Sequence, residues 1–95
     1  MGEPSNRIVA SSTSKLNKGG SISADLPYFG IYIVSNGALR YGYSGLIFAY
    51  TNMGITAIAG DSDVFIMNIK NDVTKTIEIT NNADIAVNII LYSLY

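Results

Sequence analysis

VFIMNIKNDVTKTIEIT, residues 64–80, spells two β-strands and the turn between them. Val64 to Ile69 is an unbroken run of Val, Phe, Ile and Met around a single Asn, with neither Gly nor Pro to interrupt it. Lys70-Asn71-Asp72 supplies turn chemistry, because Asn and Asp side chains bond their own backbone two residues on. Val73 to Thr80 then alternates: Thr74, Thr76, Glu78 and Thr80 on one side, Val73, Ile77 and Ile79 on the other. A period of two is the signature of a strand with one wet face.

Working outward, the same grammar repeats. Downstream, Asn81-Asn82-Ala83-Asp84 precedes an aliphatic run from Ile85 to Tyr92. Upstream lie the loop Gly60-Asp61-Ser62-Asp63, a strand Ile55–Ala59, the turn Asn52-Met53-Gly54 and a strand Leu46–Thr51. Before these, Ser44-Gly45 breaks a run Ala38–Tyr43, which Asn36-Gly37 joins to Gly30–Ser35. Asn-Gly accepts the positive φ values of a type I′ turn and predicts a hairpin there. Short strands at such even spacing predict an all-β domain, a small antiparallel sandwich or jelly-roll-like barrel. No segment patterns as a helix of ten residues.

Residues 1–27 read differently. Ser, Lys, Asn and Gly dominate, and such a segment buries too little surface to offset its own ordering entropy. It is expected to be a flexible or extended N-terminal attachment arm, with residues 28–95 as the β-sandwich domain. Ile22, Ala24 and Leu26 alternate as a strand would, and are the candidate docking residues of that arm.

The central inference concerns faces. Apart from Val73–Thr80, the strands are apolar on both sides. Phe65, Met67 and Ile69 oppose Val64 and Ile66, while Leu46, Phe48 and Tyr50 oppose Ile47 and Ala49. In the last run, Ile85, Val87, Ile89 and Leu91 oppose Ala86, Ile90, Tyr92 and Leu94. A two-layer sandwich wets one face of every strand. Each large aliphatic left in water forgoes ~1.5–3 kcal/mol. The second faces are therefore expected to be covered by identical neighbours, with Phe65, Met67, Ile90, Tyr92 and Leu94 as candidate intersubunit packing residues.

Composition removes most chemistry. The 95 residues include no Cys, His or Trp, and the charged fraction is 14%, against about 25% in ordinary soluble domains. Disulfides, zinc sites of the usual ligands and catalysis by imidazole or thiolate are excluded. Six basic and seven acidic residues leave a net charge of −1, no footprint for nucleic acid or anionic membrane. No apolar stretch approaches the ~18 residues of a membrane span or forms a signal h-region, so synthesis in a cytoplasm without export or membrane insertion is expected. Asp61, Ser62 and Asp63 lack the further ligands of a calcium loop and read as a solvated turn. No nucleophile elbow or phosphate loop occurs. An enzyme is not expected, nor a cofactor or metal.

Seven tyrosines are the remaining distinctive feature. Tyr41, Tyr43 and Tyr50 lie around the Gly42–Gly45 bend and are candidate ligand or partner contacts, since tyrosine offers apolar area and a hydroxyl at low entropy cost. The same residues equally suit cross-strand packing.

The segments SGLIFAYTNMGITAIAGDSDVFIMNI and TIEITNNADIAVNIILYSLY resemble small bacteriophage virion domains, the heads of tail fibres and head-decoration proteins. Such domains close on an I-x-I-x-N strand, a short polar turn and a final aliphatic strand, here Ile77, Ile79, Asn81 and Ile85–Leu91. The resemblance covers about half the chain and carries over no binding residue. It implies a non-enzymatic structural subunit, commonly a homotrimer, docked to other virion proteins through its N-terminal arm. Loops or an outer sheet would then touch a host glycan or receptor. Two other readings of the residues stay open: a small carbohydrate- or receptor-binding sandwich using the tyrosines, and an extracellular filament subunit completed by donation of the Ile22–Leu26 strand.

Overall fold

The structure, a computed structural model, describes residues 6–36, 45–60 and 64–94. It is an all-β antiparallel sandwich, as the strand spacing predicts. Eight strands run in chain order: β1 Asn6–Ser11, β2 Ser21–Asp25, β3 Gly30–Ser35, β4 Leu46–Thr51, β5 Gly54–Gly60, β6 Phe65–Asn71, β7 Thr76–Asn81 and β8 Ile90–Leu94. They form a five-stranded sheet, ordered β1-β8-β3-β4-β5, and a three-stranded sheet, ordered β2-β7-β6. Every pairing is antiparallel. The thinnest dimension is 23 Å, which two sheets ~10 Å apart and their outward side chains fill.

The core lies between the sheets. Tyr32, Val34, Phe48 and Leu91 from the larger sheet meet Phe65, Ile77 and Ile79 from the smaller one, all buried. Tyr32 and Phe48, cross-strand partners, stack with ring centroids 5.3 Å apart. Gly45 permits the close approach at one end: a Cβ there would come within 2.1 Å of the Phe65 ring.

Residues 6–25 depart from the expected arm. They are extended, but ordered against the chain's own sheets: β1 pairs with β8 and β2 with β7. The composition argument counted only local burial. The missing apolar surface comes from strands 59 and 88 residues away, read from the pairs Ser21↔Thr80 (80 − 21) and Asn6↔Leu94 (94 − 6).

Two strand boundaries also shift. Val73 was expected in a strand but sits on a turn, 91% exposed. The Asn71 side chain accepts hydrogen bonds from the backbone of Val73 and Thr74, and Lys75 takes a φ of 55°, so β7 starts only at Thr76. Likewise Ile85 is exposed and the last strand starts at Ile90. The buried Asn81 organises that connection: its side-chain amide donates to the Leu16 and Ile85 carbonyls and its oxygen accepts from the Ala83 backbone. The Asn36-Gly37 hairpin and the strand Ala38–Tyr43 fall largely outside the described residues.

Candidate interaction surface

The two sheets turn opposite kinds of surface to the outside. On the smaller sheet the outward rows are Ser21–Thr80–Ile66, Ser23–Glu78–Asn68 and Asp25–Thr76–Asn71. Ser21 donates to Glu78, and Thr76 to Asp25. Ile66 is the one apolar member. Hydroxyls and carboxylates of this kind are satisfied by water and by one another.

The larger sheet is different. Since Tyr32, Val34, Phe48 and Leu91 point inward, the alternate residues point out. Their registers align into rows that cross the sheet. One runs Ile8–Tyr92–Ile33–Ile47–Ala59, and the next runs Leu94–Ile31–Ala49–Thr56. Ile90 continues the same face of β8. None of these side chains bears a charge. Ile8 and Leu94, at the rim, are 61% and 40% exposed. Ile31, Ile33 and Ile47 are half-buried, while Tyr92 is 9% exposed and Ser35, opposite Ile90 on the same face, is fully buried, so the open part of the face lies around Ile8, Ile31, Ile47 and Leu94. Among the described residues there are two layers only, and no described strand lies over this face as a third.

This geometry sorts the residues singled out in the sequence. Ile90, Tyr92 and Leu94 are brought together on the outer face, where intersubunit packing residues would have to be. Phe65 and Met67 are not: Phe65 is buried in the core and Met67 packs against it, so both belong to the interior. When both sides of a strand are apolar, period alone does not say which side faces in. Ile22, Ala24 and Leu26 are likewise spent inside the domain, with Leu26 buried and the other two packed on the core. They dock a strand, but onto this chain's own sheet rather than onto a partner's.

Tyr50 packs partly against the core and its ring meets Phe29 edge-on, with centroids 4.9 Å apart. Tyr41 and Tyr43 lie outside the described residues. The tyrosine set therefore forms no described cluster. Tyr32 is the most constrained phenol. Burial pushes it above the ordinary tyrosine value, opposed by the Tyr28 backbone N–H that points at its oxygen. Its hydroxyl in turn donates to the Tyr28 carbonyl.

Ile8, Ile31 and Ile33 are surface members that the sequence reading missed. The signal for the last two was present in Gly30–Ser35, whose two sides are both aliphatic. Among the described residues no group of three potential metal-ligating side chains occurs, and no pocket opens. No protein-family model matches the chain, and no curated protein or solved structure is significantly similar to it.

Proposed function

We propose that this chain is a non-enzymatic structural subunit that works by homo-oligomeric self-assembly, of the kind found in phage virions as decoration or fibre-head proteins. One observation carries the reading: the outer face of the five-stranded sheet is an uncharged aliphatic surface, while the opposite face of the molecule is polar. A face about five strands wide and five residues long covers about 400 Å² at 4.8 Å per strand and 3.3 Å per residue. Burying it on two copies removes roughly 800 Å², the size of a weak contact and short of the ~1,000 Å² of a stable specific interface, so the face needs a second contact beside it. Association through this face turns the Ser-, Thr- and Glu-bearing sheet to solvent.

The virion assignment rests on the resemblance of residues 44–69 and 76–95 to small phage domains, and with it the attachment to other virion proteins. Attachment then uses a folded surface, since Ile22, Ala24 and Leu26 are occupied. The test is particle mass by light scattering across a hundred-fold range of concentration. A stable multiple of 10.2 kDa supports assembly. A single-chain mass up to millimolar concentration sinks it.

A further inference from the structure

We infer that β5 is a seam between copies, pairing antiparallel with β5 of a second chain about a two-fold axis at Ala57. The seam presupposes the self-assembly proposed above and adds where two copies join.

Among the described residues four strands end the two sheets, and three of them are guarded. β1 carries Arg7 and a bulge between Ile8 and Ala10. β6 carries Lys70 and a bulge between Ile69 and Asn71. β2 is five residues long and ends on Asp25. Charges, bulges and brevity are the usual defences of a sheet edge, whose unpaired N–H and C=O groups otherwise template another strand. β5, Gly-Ile-Thr-Ala-Ile-Ala-Gly, has seven residues and neither charge nor proline. Its only guard is a bulge opposite Ile47 and Phe48, and the residue left unmatched there is Ile58, 58% exposed.

β5 is also uncovered from above and below. The larger sheet is two strands wider than the smaller one. β1 lies against β2 on one flank and Leu46 and Phe48 of β4 are buried in the core, so the excess falls at β5 beyond Ile55. Accordingly Thr56, Ala57, Ile58, Ala59 and Gly60 are all exposed, although Ala57 sits opposite the fully buried Phe48. A strand of high β propensity that is open on both faces and along its edge is a pairing site.

The sequence of β5 selects a second copy as the occupant. Reflected about Ala57, Gly54 meets Gly60, Ile55 meets Ala59 and Thr56 meets Ile58. Ile55 thus falls opposite the small Ala59, the β-branched Thr56 and Ile58 face each other, and no charge confronts a like charge. The two glycines that bound the strand both take positive φ, +117° and +125°, so the extended segment ends symmetrically. Pairing satisfies the free edge of both chains at once and joins two outer aliphatic faces into one.

The test uses the full chain, which has no cysteine of its own. Ala57→Cys places one thiol at the axis, and Val73→Cys places one on a turn that is equally accessible. On mild oxidation Ala57→Cys should form a disulfide dimer about ten-fold faster or more, because paired strands hold opposite Cα atoms 4.5–5.5 Å apart, within disulfide reach. Ile58→Lys, at an exposed position, should halve the particle mass with an unchanged circular dichroism spectrum. Equal crosslinking rates for the two cysteines overturn the seam. If Ile47→Glu on the outer face still lowers the mass in that case, self-assembly stands and only the seam is lost. If the wild type is monomeric throughout and neither cysteine crosslinks, both fall.

Discussion

The outer faces of the two sheets have the same backbone geometry and different side chains. Both sheets bury Ile, Val and aromatic residues inward, and both present every second residue to the outside. On β7 those outward residues are Thr76, Glu78 and Thr80; on β3 and β4 they are Ile31, Ile33, Ile47 and Ala49. A strand's two faces are independent choices, because the period of two separates them completely. The interior needs Val34 and Phe48, but it makes no demand on Ile33 or Ile47. Aliphatic residues there are a statement about a surface, and the polar sheet shows that this chain can write a wettable face.

The contrast can be broken most severely from inside. Phe65→Ala should cost about 3–5 kcal/mol, lowering the urea midpoint equally at every protein concentration. Leu94→Ala, on the outer face, should instead weaken stability in proportion to dilution, since only association is affected. Identical concentration dependence for the two variants would erase the distinction between core and face drawn here.

A buried charge tests the surface directly. Ile47→Glu should reduce the particle to a single chain by light scattering, because an unpaired carboxylate does not survive in an apolar contact. Thr80→Glu on the opposite sheet should leave the mass unchanged. Equal behaviour of the pair would mean that the aliphatic face is not where copies meet.

A smaller effect is expected from the polar linchpin. Asn81→Ala removes the amide's bonds to the Leu16 and Ile85 carbonyls and the acceptor of the Ala83 N–H, and should cost about 1–3 kcal/mol, the Leu16 carbonyl keeping the Val87 N–H. Amide exchange should accelerate around Asn82–Ile89 before the rest of the sandwich responds.

The mildest is a pH effect. Tyr32 holds its proton more firmly when folded, so the unfolded chain releases it first, near the ordinary tyrosine value of about 10.0. The contribution is intact below that pH and declines as pH rises toward the folded value. Tyr32→Phe should flatten this part of the alkaline stability profile, and an unchanged slope would remove Tyr32 from the account.

Much of the fold was legible because its signals are local. Gly30–Ser35 and Leu46–Thr51 are strands at the boundaries their composition sets, and the polar side of β7 is the side that faces water. What was hidden depends on distant partners. Asn6–Ser11 looks like tail because its burial is supplied by Leu91 and Tyr92. Val73 and Ile85 carry strand-forming side chains, yet the hydrogen bonds of Asn71 and Asn81 outweigh that preference. For the surface, Ile90, Tyr92 and Leu94 were found because they share a run. Phe65 and Met67 were misassigned because facing is set by the opposing sheet, which a single strand does not encode.

The order of the larger sheet has a consequence for how the chain is made. β8, the last of the described strands in chain order, belongs between β1 and β3, the first and third. Until it arrives β1 has no neighbour at all, and β3 has one vacant side. Closing that gap requires contacts spanning nearly the entire polypeptide, the kind that slow folding and expose sticky intermediates. The five-residue β8 therefore acts as a keystone: chains cut before Ile90 should be held open, and commitment to the native state waits for that strand.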